Sequence, residues 1–402
     1  MKFAHLADCH IGSWKDEKLS TISTEAFIKA MDMSIAEDVD FILIAGDIFN
    51  TALPAIEKLK AVTKKLKEVQ EHNIPVYCIP GSHDYSPSGK TILDVLEHAG
   101  LLINVVKGTV VDNKLQLKWT IDKSGAKITG MMGKKGSLEK KYYETLDNES
   151  LEKENGFKIF MFHSSIAELK PEGLEHMEAS PISFLPKNCD YYAGGHVHIV
   201  KHASLEGYKN IVYPGPLFPN SFAELEKLNT GGMYIYDNGV ISYKEINIRP
   251  VISLTITANH ESAEFITTQI REQTFTIHPE NAIITLRVLG ELSEGKPSDI
   301  DFKSIKESLE QRGAWHVMRS TSMLKSKEFE EITIHGETTA EIEEKIVQEH
   351  AGQFQSSEIS KEMQEQWTKT FLAALNTEKN EGERVIDFEN RLRKDVEEIL
   401  KL

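Results

Sequence analysis

Short apolar runs that end in small or polar residues punctuate the first half of the chain. They are KFAHLAD (2–8), DFILIAGD (40–47), PVYCIPG (75–81), FKIFMFH (157–163) and CDYYAGGH (189–196). Each has the length and continuous apolar character of a strand buried on both faces. Between the first three lie STEAFIKAMDMSIAED (23–38) and AIEKLKAVTKKLKEVQEH (55–72), whose apolar residues recur at helical spacing. Strand-helix-strand alternation predicts an α/β fold, a mostly parallel sheet with helices on its faces. Residues 109–132 read as shorter strands broken by turns. After GGMYIYDNGVISYKEINI (231–248) the pattern changes at Arg249-Pro250. VISLTIT, SAEFITTQIREQT, NAIITLRVLG, DFKSIKESLEQRG and WHVMRSTSM then predict a small β-α-β-α-β domain over 249–330. Residues 331–402 are acidic and helical. One apolar stripe is Ile359, Met363, Trp367, Phe371 and Leu375, and another is Val385, Phe388, Leu392, Val396 and Ile399.

Composition narrows the class. The 402 residues are enough for two or three domains, and 40% hydrophobic with 27% charged residues is ordinary for a globular protein. No apolar run reaches membrane-spanning length, and the chain enters a strand at once without a signal-peptide pattern. Cys9, Cys78 and Cys189 are odd in number and lack a CxxC spacing, so neither a disulfide framework nor a thiolate zinc site is expected. A reducing, cytoplasmic compartment is the expectation. A net charge of -16 argues against nucleic-acid binding through bulk charge. Any attraction to DNA or RNA has to come from metal ions, a local basic patch or a partner.

The strand ends carry the chemistry. Asp8 and His10, Gly46-Asp47, Ser82-His83-Asp84, His163 and Gly195-His196-Val197-His198 each follow an apolar run. Ligands bind beyond the carboxyl ends of strands in open α/β sheets, so these groups are expected to converge on one edge. Taken singly, each has an ordinary reading as a helix cap, a turn or a half-buried histidine. Together they form the carboxylate and imidazole set that suits Mn, Fe or Zn. The set exceeds the needs of one ion, and a pair about 3.5–4 Å apart, bridged by one carboxylate, would use it.

The blocks ADCH, AGDIF, PGSHD, MFHSS and GGHVH resemble, in order, those of the calcineurin-like metallophosphoesterases, over residues 1 to about 248. That resemblance implies a β-sandwich flanked by helices. The added small α/β capping domain, the helical C-terminal tail and the segment YPGPLFPNSF (213–222) are similar to the DNA double-strand-break repair nucleases of that superfamily. The resemblance implies two divalent ions, Mn2+ foremost. It assigns Asp8, His10, Asp47 and His198 to the first ion and Asp47, residue 82, His163 and His196 to the second. His83 would protonate the leaving oxygen, with Asp84 beside it facing the phosphate in support. It further implies DNA as substrate, cut at ends and within single strands. A homodimer is implied too, with an SMC-like coiled-coil ABC ATPase bound by the C-terminal helices and a nucleoid-associated location. Ser82 departs from the asparagine usual in that family, and its shorter hydroxyl puts the second ion's affinity in question. A phosphoesterase acting on nucleotides or phosphoproteins, or a non-catalytic scaffold, are the competing functional readings.

Overall fold

The computed structural model describes residues 1–86, 91–170, 177–326, 363–364, 366–370, 377 and 385–400. Ile359, Phe371 and Leu375 of the first C-terminal stripe lie outside the described residues. Two compact units are present. One comprises residues 1–254, 277–287 and 306–320, and the other comprises 255–276, 288–305 and 321–402.

In chain order the elements are β1 (Lys2–Leu6), α1 (Glu17–Ala36), β2 (Phe41–Ala45), α2 (Ile56–Glu71), β3 (Val76–Ile79), α3 (Ile92–His98) and β4 (Ile103–Asn104). Next come β5 (Gly108–Val111), β6 (Lys114–Leu117), β7 (Thr120–Ile121), β8 (Lys127–Met131), α4 (Lys140–Glu144), α5 (Asn148–Glu152) and β9 (Lys158–His163). β10 (Tyr191–Gly195), β11 (Lys201–Leu205), β12 (Tyr208–Tyr213), α6 (Phe222–Leu228), β13 (Gly231–Asp237) and β14 (Val240–Ile246) follow. The last are β15 (Val251–Thr257), α7 (Ala263–Thr276), β16 (Ile283–Leu292), α8 (Phe302–Gln311), β17 (His316–Ser326) and α9 (Val385–Leu400). Among the described residues, no helix is long and apolar enough to cross a membrane.

Two six-stranded sheets form the first unit, ordered β14-β13-β1-β2-β3-β4 and β11-β12-β10-β9-β8-β7. β1 to β4 run parallel, as do β8, β9, β10 and β12, while β7, β11, β13 and β14 close the edges antiparallel. Alternation along each strand divides its residues between two cores. Phe3, Phe41, Leu43, Tyr77, Ile159, Met161, Tyr191 and Ala193 fill the space between the sheets. Ala4, Leu6, Ile42, Ile44 and Cys78 turn outwards to meet Ile22, Phe27 and Met31 of α1 and Val62, Leu66 and Val69 of α2. Phe160, Phe162, Tyr192 and Tyr213 cover the outer face of the second sheet together with Tyr143 and Leu151. A β-sandwich flanked by helices is therefore the fold, as the α/β alternation and the resemblance lead one to expect. Cys9, Cys78 and Cys189 are free thiols, all buried.

The stretch from 251 to 326 forms the expected β-α-β-α-β pattern, its sheet ordered β15-β16-β17. Within the second unit, Arg271 on α7 pairs with Asp301, whose backbone N–H donates to Thr267. α9 confirms a helix under the second C-terminal stripe.

Candidate metal centre

The carboxyl ends of β1, β2, β3, β9 and β10 lie side by side in the two sheets, and each continues into a loop that carries the polar groups. Backbone bonds zip these loops together beyond the strands. Asp8 N–H donates to Gly46 O (3.1 Å), His10 N–H to Asp47 O (2.9 Å) and Gly133 N–H to Pro80 O (3.0 Å). Asp8, His10, Asp47, His196 and His198 all have positive φ, at 50°, 41°, 52°, 96° and 48°. Non-glycine residues avoid that region, at a cost of about 1–3 kcal/mol each in the worst cases, and its clustering here is the mark of side chains forced towards a common point.

Glycines make the room. A side chain at Gly46, Gly133 or Gly195 would collide with the His163 imidazole, and one at Gly81 would collide with Asp47. The small residues that end the apolar runs are thus sockets for the ligand-type side chains, and Gly46 also takes a φ of 87°.

Asp8, His10, Asp47, Ser82, Asp84 and His163 are all buried. Three trios hold ligand atoms within 4.8 Å of one another: Asp8, His10 and His198; His10, Asp47 and His83; Asp8, Asp47 and His163. Asp8 and Asp47 are each shared by two of them. His196 stands outside the trios and is more exposed, its ring 5.1 Å from that of His163. Its backbone N–H instead holds both carboxylate oxygens of Asp8, at 2.9 and 3.0 Å.

The donor atoms face one another in a way that calls for a cation. His163 Nδ1–H donates to the Ala45 carbonyl (2.8 Å), which leaves Nε2 as a lone pair aimed at Asp47 Oδ2, 3.1 Å away. His198 Nδ1 lies 3.1 Å from Glu224 Oε1, so its Nε2 lone pair faces His10 Nε2 at 3.0 Å. Lone pairs opposed at such distances need a proton or a metal ion between them. Burial alone would lower the His163 pKa, yet the carboxylates of Asp47 and Asp8 raise it to about 10. Burial likewise works to raise the Asp47 carboxyl, but His163 and His10 hold it below its ordinary value. A field that binds a proton this firmly binds a cation by the same attraction. His10, with desolvation dominant, falls to about 3 and is a neutral donor. Carboxylate oxygens with neutral imidazoles fit Mn, Fe or Zn, and the site suits divalent metal ions.

Ser82 keeps its hydroxyl in the cluster, donating to Asp47 Oδ2 at 3.5 Å. His83 is anchored twice, by its N–H to Asp47 Oδ1 (2.7 Å) and by Nδ1–H to the Asn50 carbonyl (2.9 Å), so its Nε2 is the free atom. Asp84 departs from expectation. Rather than facing a phosphate beside His83, its carboxylate is buried and accepts from the N–H groups of Ile48 (3.1 Å), Phe49 (3.0 Å) and Gly81 (3.0 Å). Burial and the nearby Asp47 charge still raise its pKa to about 6. Asp84 braces the turn that presents His83, a supporting place rather than a phosphate-facing one.

Glu224 is a candidate site residue the strand-end reading passed over. It sits in the first turn of α6, where Ser221 Oγ accepts from Glu224 N–H (3.2 Å) and Glu224 Oε2 accepts from Asn220 N–H (2.8 Å). The S-x-x-E of SFAE (221–224) is a capping-box signature visible in the sequence. Its second oxygen orients His198, the carboxylate-histidine arrangement that fixes a metal ligand's tautomer.

Residues 1–200 match the sequence profile of the calcineurin-like phosphoesterases. The chain is 26% identical to the DNA double-strand break repair protein Mre11 of Archaeoglobus fulgidus, across 100% of this chain and 91% of the relative. It is 28% identical to the protein of that name from Methanococcus maripaludis, over 59% of this chain and 63% of the relative. For that of Sulfolobus acidocaldarius the identity is 26%, over 68% and 71%.

Proposed function

The chain belongs to the calcineurin-like phosphoesterases, and from that membership we propose that it is a Mn-dependent nuclease. It acts on DNA ends as an exonuclease and on single strands as an endonuclease in double-strand-break repair. It works as a homodimer with an SMC-like coiled-coil ABC ATPase. One observation carries the reading: two buried carboxylates and a set of imidazoles meet around Asp47 at the strand ends. The likeness along the whole chain to a protein named for DNA double-strand break repair supports DNA as the phosphodiester.

Asp8, His10, Asp47 and His198 would hold one ion, and Asp47, Ser82, His163 and His196 the other. When bound, such ions supply charge neutralisation at the phosphate and a water acidic enough to attack near neutral pH. The chain's own residues do the rest. Asp47 is fixed by His83 N–H and faces both donor sets. His196 N–H aims the Asp8 carboxylate. His83 holds its Nδ1 proton on Asn50, which leaves Nε2 to deliver a proton to the leaving oxygen as general acid.

Asp47→Ala and His83→Ala separate these roles. Asp47→Ala should lose most bound metal together with cleavage of linear duplex in Mn. His83→Ala should keep its metal and lose turnover by about 10²- to 10⁴-fold, the usual worth of a general acid. Metal analysis of both proteins beside the nuclease assay checks this, and equal loss of metal in both variants would overturn the division. Hydrolysis of bis(p-nitrophenyl) phosphate without any cleavage of DNA would favour a small-substrate phosphoesterase. No hydrolysis of either would favour a scaffold.

A further inference from the structure

An acidic chain that handles DNA needs a local cationic surface, and the segment KKGSLEKKYYE (134–144) leads away from the metal centre. It begins directly after Gly133, which packs on the His163 ring and bonds to Pro80 at the foot of the Ser82-His83-Asp84 turn. Lys134 Nζ lies 4.9 Å from the centre of the Tyr85 ring and 4.4 Å from that of Tyr142, and donates to the Tyr142 hydroxyl at 2.8 Å. Tyr85 itself follows the turn that bears His83. Of the segment's two acidic residues, Glu144 at its end is exposed and Glu139 among the lysines is turned inwards. Glu139 is buried and accepts from Lys134 N–H (3.2 Å), so its charge does not cancel the lysines at the surface. Lys140 pairs at 3.6 Å with the exposed Glu178, and among the described residues no carboxylate pairs with Lys134, Lys135 or Lys141. Tyr142 keeps 41% of its surface exposed.

The geometry points to a binding strip for an unpaired DNA strand, with the lysines taking successive phosphates and Tyr142 offering its ring to an unstacked base. A cationic track interleaved with aromatic faces is what single strands need, since every base has a face to stack. A duplex keeps its bases stacked on one another and would leave Tyr142 unused. The strip deepens the nuclease reading and rests on it: a strand end drawn along 134–142 is delivered to the turn that holds His83. With a net charge of -16, attraction to a DNA strand has to come from a local surface of this kind.

Binding of a fluorescent oligothymidylate to the full-length chain, in EDTA so that nothing is cut, tests the strip by polarisation across a salt series. Tyr142→Ala should weaken binding by about fivefold or more, the loss expected for one stacked base, whereas Tyr142→Phe should retain most of the affinity. The Lys135→Ala/Lys141→Ala double variant should lower the slope of log affinity against log salt by about 1.4, as two lost phosphate contacts to a single strand require. These side chains are exposed, so the thermal midpoints should match the unaltered protein. If the unaltered chain binds the oligonucleotide and both variants keep its affinity and salt slope, the strip is overturned and the nuclease reading survives. If the unaltered chain hydrolyses bis(p-nitrophenyl) phosphate in Mn but binds no oligonucleotide, the nuclease reading fails and the strip with it. Equal weakening of duplex and oligothymidylate in Tyr142→Ala would overturn the single-strand assignment.

Discussion

At the scale of single residues, position 82 and position 224 bear on the two ends of the metal centre. Ser82 is buried with its hydroxyl on Asp47 Oδ2 at 3.5 Å, a longer and weaker contact than His163 makes to the same oxygen at 3.1 Å. A hydroxyl this short reaches the cluster only through the shared carboxylate. Ser82→Asn should therefore lower the free Mn needed for half-maximal activity, and calorimetric titration should show the weaker of two binding events tighten. Changes in groups that support metal ligands typically alter affinity by about 10- to 100-fold, which sets the size of the expected gain. Two equally tight ions in the unaltered protein would show that serine already serves. Glu224→Ala removes the acceptor that holds His198 Nδ1–H. Mn affinity should fall by a similar factor, while Glu224→Gln, whose amide oxygen still accepts, should lose less. Calorimetric scanning of the metal-free protein separates this from a helix-cap effect, because Glu224→Ala keeps the Ser221 Oγ cap but loses the bond from Asn220 N–H, which Glu224→Gln can retain. His5 shows the opposite case. It ends no strand, lies between the sheets with Nδ1 on the Tyr191 hydroxyl (3.1 Å), and burial drops it to about 3. His5 sits within its strand and faces the core, whereas the histidines proposed as ligands sit at or just past a strand's end.

At the scale of elements, what the sequence revealed depends on whether a residue's role is local. The strands β1, β2, β3, β9 and β10 are legible because each is a continuous apolar run, and the site residues are legible because they follow those runs. The conversion of period-two alternation into two cores also follows from single strands. Legibility fails where the role depends on packing between distant segments. β11 is short and partly exposed and pairs with β12, which in turn lies parallel beside β10. Nothing local shows that β8 leads Gly133 onto the His163 ring, or that Glu139 folds back to accept from Lys134 N–H. Asp84 reads as a support that faces the phosphate beside His83, because adjacency in sequence does not tell which way a turn points each side chain. α9 is legible from its three- and four-residue spacing, and Ile386 on it is 63% exposed. Deleting residues after about Ser356 should leave Mn-dependent cleavage of single-stranded DNA largely intact, since none of the proposed ligands lies there. Co-purification with the coiled-coil ATPase should disappear. Recovery of the ATPase at normal yield with the truncated chain would remove α9 and the residues before it from the partner contact.

At the scale of the whole molecule, charge and exposed apolar surface set the terms for self-association. A net charge of -16 makes two copies repel, so a homodimer has to be held by apolar contact. Leu53, Ile56 and Val95 are 74%, 76% and 58% exposed, the first in the loop before α2, the second at the start of α2 and the third on α3. Ile92 N–H bonds to Ala52 O (3.2 Å), which ties the entry of α3 to the loop before α2 and brings these residues onto one stretch of surface. A two-fold interface uses the same patch twice. Six such side chains would contribute about 9–18 kcal/mol, at about 1.5–3 kcal/mol each. Association costs about 4–15 kcal/mol, so the surplus is small and a few side chains decide it. The Ile56→Asp/Val95→Asp variant removes four of the six in a dimer and adds four charges to a surface that already repels. It should sediment as a monomer at concentrations where the unaltered chain is dimeric. Its thermal midpoint, read at a concentration where both proteins are monomeric, should change little because both positions are exposed. Sedimentation of the variant as a dimer would move the interface elsewhere, and a monomeric unaltered chain would exclude a homodimer held by this chain alone.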